Sequence, residues 1–301
     1  MRVAQPSPTG TEVPVVTMFG LDVGAEPGVP PLPPGAARPT GRGLRLSLLP
    51  PDGPPRLGFP EAAMTISEER EPGGRLVFRI ERDGSAGYLF WGHRYGASLL
   101  APDGAVATGR VGEGGATAWL RLLIAQVLPF AAILRGLEVL HASATIAGPG
   151  AIVLAGRSGA GKTATTAALC RRGSTFLADD VVALEARPDE LLAHPGAPFR
   201  TAEDSREELV EVGGIGEAAP LEATFFLDRR SDGPPEPRFE PILDPRILLA
   251  STFNTVLLTP HRLRGLLDVC AEVGRRRVER VHAGPACEPD LIAAAILDRV
   301  G

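Results

Sequence analysis

The octet Gly156-Arg157-Ser158-Gly159-Ala160-Gly161-Lys162-Thr163 carries the spacing G-x-x-x-x-G-K-T. The chemistry of that pattern is phosphate binding. Its glycines let successive backbone N–H groups turn toward one anion. A helix starting near Lys162 would aim its positive end at the same anion. Lys162 supplies a compact point charge for the β- and γ-phosphates, and the Thr163 hydroxyl is suited to ligate Mg²⁺. All eight residues are therefore candidate nucleotide-binding residues, with ATP and Mg²⁺ the expected cofactors. Composition singles out the lysine. Of 31 basic residues, 30 are Arg and Lys162 is the only Lys. A GC-rich genome accounts for the arginine excess but not for the position of the one lysine. Arginine replaces lysine on most solvated surfaces, and fails where a small ammonium must fit a tight cradle.

Two more positions bear chemistry. Asp179 and Asp180 follow the apolar run Ser174 to Ala178, which reads as a strand beside the phosphate loop. A carboxylate there faces the metal of a bound nucleotide. Neighbours in an extended chain point to opposite sides, so both serve one site only if the chain bends. One would contact Mg²⁺, and the other would take a proton from an attacking hydroxyl. His141 opens the run Ala142 to Ala147. If that run pairs as a hairpin with Ala151 to Ala155 across Gly148-Pro149-Gly150, His141 reaches the loop end of the sheet. It could there orient an Asp or contact phosphate.

These residues need strand, loop, helix and strand in that order, an α/β nucleotide-binding layout. Upstream the pattern changes. The first sixty residues hold 14 of the 30 prolines, which favours extended chain over helix. Residues 1–40 read as a Pro-rich irregular arm. Residues 41–116 read as a β-rich N-terminal domain, with turns expected at Asp52-Gly53, Asp83-Gly84 and Asp103-Gly104. From 117 to 301 the chain reads as the nucleotide-binding domain. It opens with a helix over 117–139 that Pro129 should kink or divide.

The order His141-Ala-Ser-Ala, glycine-rich loop, helix, Arg172-Gly173, apolar strand, Asp179-Asp180 resembles HPr kinase/phosphorylase and its wider relatives. The resemblance is specific over residues 139–186. It implies a phosphate-loop core of the type shared with phosphoenolpyruvate carboxykinase, and a kinase moving the γ-phosphoryl of ATP to a hydroxyl. The implied catalytic residues are His141, Lys162, Asp179 and Asp180, the Asp pair acting as general base and metal contact in an order the resemblance leaves open. Candidate metal-facing residues are Thr163, Asp179 and Glu211. The last comes from Glu211-Val-Gly213-Gly214-Ile-Gly216, which is similar to the family's E-x-R-G-x-G. Gly213 stands in the arginine's place, which counts against a reverse, dephosphorylating activity. The acceptor is expected to be a protein or peptide serine or a small molecule, and the relatives make a homo-oligomer plausible.

Composition limits the alternatives. The net charge of −5 gives no global basic field for nucleic acid or an anionic membrane. The apolar run Leu122 to Leu134 is too short to span a bilayer. Cys170, Cys270 and Cys287 are too few and too scattered for a disulfide framework or a zinc site, which points to a cytoplasmic setting. A GTP switch would need a second lysine in N-K-x-D, and an ABC-type ATPase would need L-S-G-G-Q. Neither is present. The second hypothesis from a different class is a regulatory module that binds ATP without transferring phosphate. Among minor features, Arg229-Arg230 and Arg157 could reach phosphate, and Arg275-Arg276-Arg277 reads as a solvated face.

Overall fold

The computed structural model describes residues 15–50, 57, 63–201, 207–209, 214–257 and 259–301. Among the described residues, two multi-strand sheets and five α-helical segments make a mixed α/β protein. The first sheet is built from β1 (Val15–Met18), β2 (Leu21–Ala25), β3 (Gly43–Leu48), β4 (Met64–Arg70), β5 (Leu76–Asp83), β6 (Gly87–Gly92), β7 (Gly96–Leu100) and β8 (Val106–Val111). Their order across the sheet is β1-β2-β3-β8-β7-β6-β5-β4. Two of the Asp-Gly pairs make turns by a common device. The Asp83 carboxylate accepts from the backbone N–H groups of Ser85 and Ala86, and Asp103 from that of Ala105, each an Asx-type closure. Asp52-Gly53 lies outside the described residues.

The expected arm over residues 1–40 is corrected in part. Residues 1–14 lie outside the described residues, but β1 and β2 belong to the sheet, and Met18, Phe19, Leu21 and Val23 are buried to 2 % exposure or less. The prolines flank this apolar stretch without interrupting it, so nothing prevents backbone pairing. The segment also reaches the second half of the chain. Phe19 N–H donates to the Pro195 carbonyl (2.6 Å), and the N–H groups of Ala37 and Arg38 donate to the Glu217 carboxylate.

After the sheet comes α1 (Gly115–Leu122), a π-helical turn over Leu123–Val127, and α2 (Leu128–Leu134). Pro129 has no N–H to continue the α-helical ladder. The chain takes up the mismatch in the turn just before it, where Leu128 N–H bonds the Leu123 carbonyl five residues back. The whole helical run has 20 residues and a mean hydropathy of 1.7 over its most apolar stretch. By length and composition it could cross a bilayer, because the helix extends the uncharged run Leu122 to Leu134 back through Arg121 to Gly115. In this fold most of that stretch is buried. Trp119 is fully buried, and its indole N–H donates to the Ala97 carbonyl and Ser98 hydroxyl of β7. One core joins Phe90, Trp119 and Phe130 to Val139, Val181 and Phe253. The expected boundary at 116/117 therefore cuts through shared packing.

The second sheet carries the candidate site. Its strands are β9 (Glu138–Leu140), β10 (Ala142–Ala147), β11 (Gly150–Gly156), β12 (Thr175–Ala178), β13 (Val182–Ala186) and β14 (Leu191–His194). A separate pair, β15 (Phe199–Thr201) with β16 (Glu207–Leu209), intervenes before β17 (Ala219–Arg229), β18 (Arg238–Pro241) and β19 (Arg277–Ala283) complete the sheet. The main path is β12-β10-β11-β17-β14-β13-β9, and β19 joins both β17 and β18. Helix α3 (Lys162–Arg171) follows β11, while α4 (Pro260–Gly274) and α5 (Pro289–Val300) come late in the chain. Alternation along β11 builds three layers. Ile152 and Leu154 pack with Ala168, Leu169, Ile292 and Ile296 of α3 and α5. Val153 and Ala155 face Val269 and Val273 of α4.

Candidate functional site

Strand β11 runs parallel to β17, which runs parallel to β19. A cleft of about 1100 Å³ opens at their C-terminal ends, where open α/β sheets place ligands. The glycine-rich loop leaves β11 on one side of it. Gly156 has φ 144°, and a Cβ there would lie 2.6 Å from the Leu227 carbonyl oxygen. Gly161 has φ 91° and caps α3 with no side-chain hydrogen bond to the helix's first N–H groups. Side chains are therefore excluded where the loop passes β17 and where it turns into the helix. What remains is a set of backbone donors and a helix N-terminus facing the cleft, a cradle suited to an anion.

Lys162 Nζ donates to the carbonyls of Gly156 (2.9 Å) and Arg157 (3.3 Å), so the ammonium sits across the loop mouth. Arg229 supports the loop from β17. Its guanidinium is held by the carbonyls of Gly284 and Cys287 and approaches Gly161 so closely that a Cβ there would be 3.3 Å from Nη1. Arg157 and Arg230 also line the cleft, with Arg230 paired to Asp232. The run Arg275-Arg276-Arg277 is bound elsewhere: its side chains pair with Glu272 and Glu279, and Arg276 also bonds the Leu221 carbonyl.

The two aspartates are separated by a bend. Strand β12 pairs with β10, whereas β13, only a few residues on, pairs with β9 and β14. Asp180 makes the change of direction with φ 65°, a left-handed backbone in which Asp is among the better-tolerated residues. Its carbonyl accepts from Ala142 N–H (3.1 Å). Asp179 is consequently buried, with 6 % exposure. Its Oδ1 accepts from the Thr163 hydroxyl (3.1 Å) and from the Ser143 hydroxyl. Burial pushes its pKa up, and the two hydroxyls pull against that shift. Asp180 is exposed and lines the cleft.

The hairpin β10–β11 pairs Ala142 with Ala155, which carries His141 to the loop end of the sheet. Its N–H donates to the Ser251 carbonyl (2.6 Å), and its ring lies 5.0 Å from the Phe253 ring. The imidazole opens to the cleft but is crowded at its base. Crowding lowers its pKa, with Asp180 opposing the shift and Lys162 adding to it. His141, Lys162 and Asp180 thus line one cleft with Gly156 to Ala160, and Thr163 and Asp179 are joined just behind the loop. Glu211 lies outside the described residues.

The oxygens of Thr163 and Asp179 are hard donors suited to Mg²⁺, and the glycine-rich cradle with Lys162 suits a polyphosphate, so these residues fit both groups. Among the described residues no cluster of three His, Cys, Asp or Glu forms a separate metal site. Ser143, Phe253, Asp228 and Arg280 were not singled out from the sequence. For Ser143 a signal existed: two residues beyond His141, it shares that residue's side of the strand. Asp228 and Arg280 reach the cleft, and Phe253 reaches the His141 ring, by chain crossings that no local pattern encodes.

No family model and no curated protein sequence matches the chain. Among solved structures it is similar to the HPr(Ser) kinase/phosphatase from Coxiella burnetii, at 16 % identity and a TM-score of 0.34, over 54 % of this chain and 94 % of that one. A likeness that loose assigns no residue and no activity.

Proposed function

We propose that the protein is an ATP- and Mg²⁺-dependent phosphotransferase that moves the γ-phosphoryl group to a hydroxyl acceptor, as HPr kinase-like proteins do. The observation that carries this reading is the separation of two adjacent carboxylates by one bend: Asp179 is buried against Thr163, and Asp180 is exposed in the cleft that Lys162 and His141 also line. A module that only binds nucleotide has no use for the second, strained, exposed carboxylate.

In this mechanism the loop N–H groups, the α3 N-terminus and Lys162 hold the phosphates in line for transfer. Thr163 and Asp179 would hold Mg²⁺, which when bound would neutralise charge on the phosphoryl group being transferred. Asp180 accepts the proton of the acceptor hydroxyl as its oxygen bonds to the γ-phosphorus. The bond from that phosphorus to the β–γ bridging oxygen breaks, and ADP leaves with the electron pair. His141, whose neutral form is favoured by crowding, orients Asp180 or the acceptor hydroxyl.

The test is transfer from γ-labelled ATP, with Mg²⁺, to acceptors in a cell extract. Asp180→Asn is expected to lower transfer by roughly 10²–10⁴-fold while affinity for a non-hydrolysable ATP analogue stays near wild type. Transfer unaffected by Asp180→Asn removes it as base. ATP binding with no transfer to any fraction makes the regulatory module the better reading.

A further inference from the structure

The wall of the cleft opposite the glycine-rich loop contains a cation that holding ATP does not explain. Strand registers place Ala142, Ala155, Phe226 and Arg280 in one row across β10, β11, β17 and β19. Ala155 and Phe226 of that row face α4. Arg280, two residues beyond Val278 of the same packing cluster, is on that face too, beside Ile247 of the 3-10 helix Pro245–Ser251. It is half-buried and lines the cleft. At about 4.8 Å per strand, its backbone stands roughly 14 Å from that of Ala142, beside His141 and Asp180. A long side chain spans part of that gap.

Arg280 differs from the other half-buried cation of the cleft on β17. Arg229 is held by two backbone carbonyls. Arg280 has no hydrogen bond or ion pair within the usual distances among the described residues. The carboxylate opposite it on β18, Glu240, acts on it only at longer range and is bonded by His282 Nε2 (2.8 Å). A guanidinium carries five donors in a planar fork that matches carboxylate or phosphate. With Glu240 bonded by His282 and no hydrogen bond of its own, the Arg280 guanidinium keeps its donors open toward the cleft and available to an anion.

We infer that Arg280 recognises the acceptor, and that the acceptor is a small hydroxylated anion whose carboxylate or phosphate ester pairs with this guanidinium while its hydroxyl lies at Asp180. The inference rests on the phosphotransferase reading above and narrows its substrate class. A small molecule is favoured because Arg280 stands on a strand of the sheet, with Phe226 and Ile247 lining the same cleft.

Two measurements separate this inference from the reading beneath it. First, label from γ-labelled ATP is followed into a low-molecular-mass extract split on an anion exchanger into retained and unretained pools, and into the protein fraction. Label should enter compounds of the retained pool, and Arg280→Gln should lower that transfer at least tenfold, as expected for loss of a charged hydrogen bond. Second, glycerol 3-phosphate, D-glycerate and uncharged glycerol are titrated calorimetrically into protein saturated with Mg²⁺ and a non-hydrolysable ATP analogue, which blocks the loop. At least one anion should bind wild type, and Arg280→Gln should weaken it at least tenfold without changing affinity for the ATP analogue. Arg280→Lys should recover part of the loss. The two anions also distinguish a phosphate-ester from a carboxylate source. Transfer to a neutral compound or to protein, or transfer indifferent to Arg280→Gln, overturns the anion subsite and leaves the kinase reading standing. Anion binding through Arg280 with no transfer anywhere does the reverse. Neither transfer nor Arg280-dependent binding overturns both.

Discussion

Asp179 is a buried carboxyl that opposes stability wherever it is charged. Burial raises its pKa, so the charged form is less favourable in the folded chain than in the unfolded one. Such a carboxyl contributes most to stability below its free value of 3.8, and that contribution is lost as pH rises through the raised value. Asparagine carries no charge at any pH and its Oδ1 can accept from both Ser143 and Thr163. Asp179→Asn should therefore raise the thermal midpoint at neutral and alkaline pH, with the gain vanishing in acid, and should weaken the Mg²⁺ dependence of nucleotide binding. Scanning calorimetry across pH and a Mg²⁺ titration check the two halves. At Lys162 the expectation concerns shape more than charge. Its ammonium fits between two loop carbonyls, and a guanidinium fork does not. Lys162→Ala and Lys162→Arg should both impair ATP binding, read by equilibrium titration, and an Arg variant that binds like wild type would refute the cradle.

The segment β1–β2 decides what happens when the N-terminus is removed. Met18, Phe19, Leu21 and Val23 are buried in the core shared by both halves, and each large apolar side chain is worth about 1.5–3 kcal/mol on full burial. Deleting residues 1–40 should yield a chain that fails to fold cooperatively, which loss of near-ultraviolet circular dichroism and of a thermal transition would record. A truncated chain that keeps its wild-type midpoint would show the two strands to be dispensable. The same packing makes the helical run Gly115–Leu134 a partner of both sheets: Trp119 bonds β7 while the core continues to Val139 of β9.

Across the molecule, Glu185 ties the N-terminal segment to the second sheet. Burial would raise its pKa, but Arg42, Arg187 and His194 together hold it at about 2. The ordinary glutamate value is 4.5. The stability these partners confer is present above 4.5 and is lost as pH falls from there toward 2. Glu185→Gln should be less stable than wild type near pH 7, and the two should converge as pH falls through this window. Thermal midpoints measured from pH 7 down to pH 3 check it, and parallel curves would remove Glu185 from the acid response. Because Arg42 lies between β2 and β3 and Glu185 on β13, this pair and the Phe19–Pro195 bond connect the halves through residues that do not line the cleft.

The sequence by itself determined what is local. The glycine spacing around Lys162, the apolar run before Asp179-Asp180 and the turn at Gly148-Pro149-Gly150 each constrain a few consecutive residues, and backbone sterics make such constraints legible one segment at a time. That is why strand, loop, helix and strand could be read in order, and why His141 could be assigned a place once a hairpin was assumed. The tertiary structure alone decided what depends on chain crossings. A single left-handed residue turns Asp180 into the cleft while Asp179 stays buried, a choice between two identical side chains that their types do not encode. Parallel pairing of β19 with β17 brings Arg280, 118 positions after Lys162 in the chain, to the cleft that Lys162 lines. The proline-rich beginning misled because composition reports average propensity, whereas Met18 to Val23 joins a sheet through partners that lie elsewhere in the chain. Long-range pairing and burial are set by the whole core at once, and no window of sequence contains both sides of such a contact.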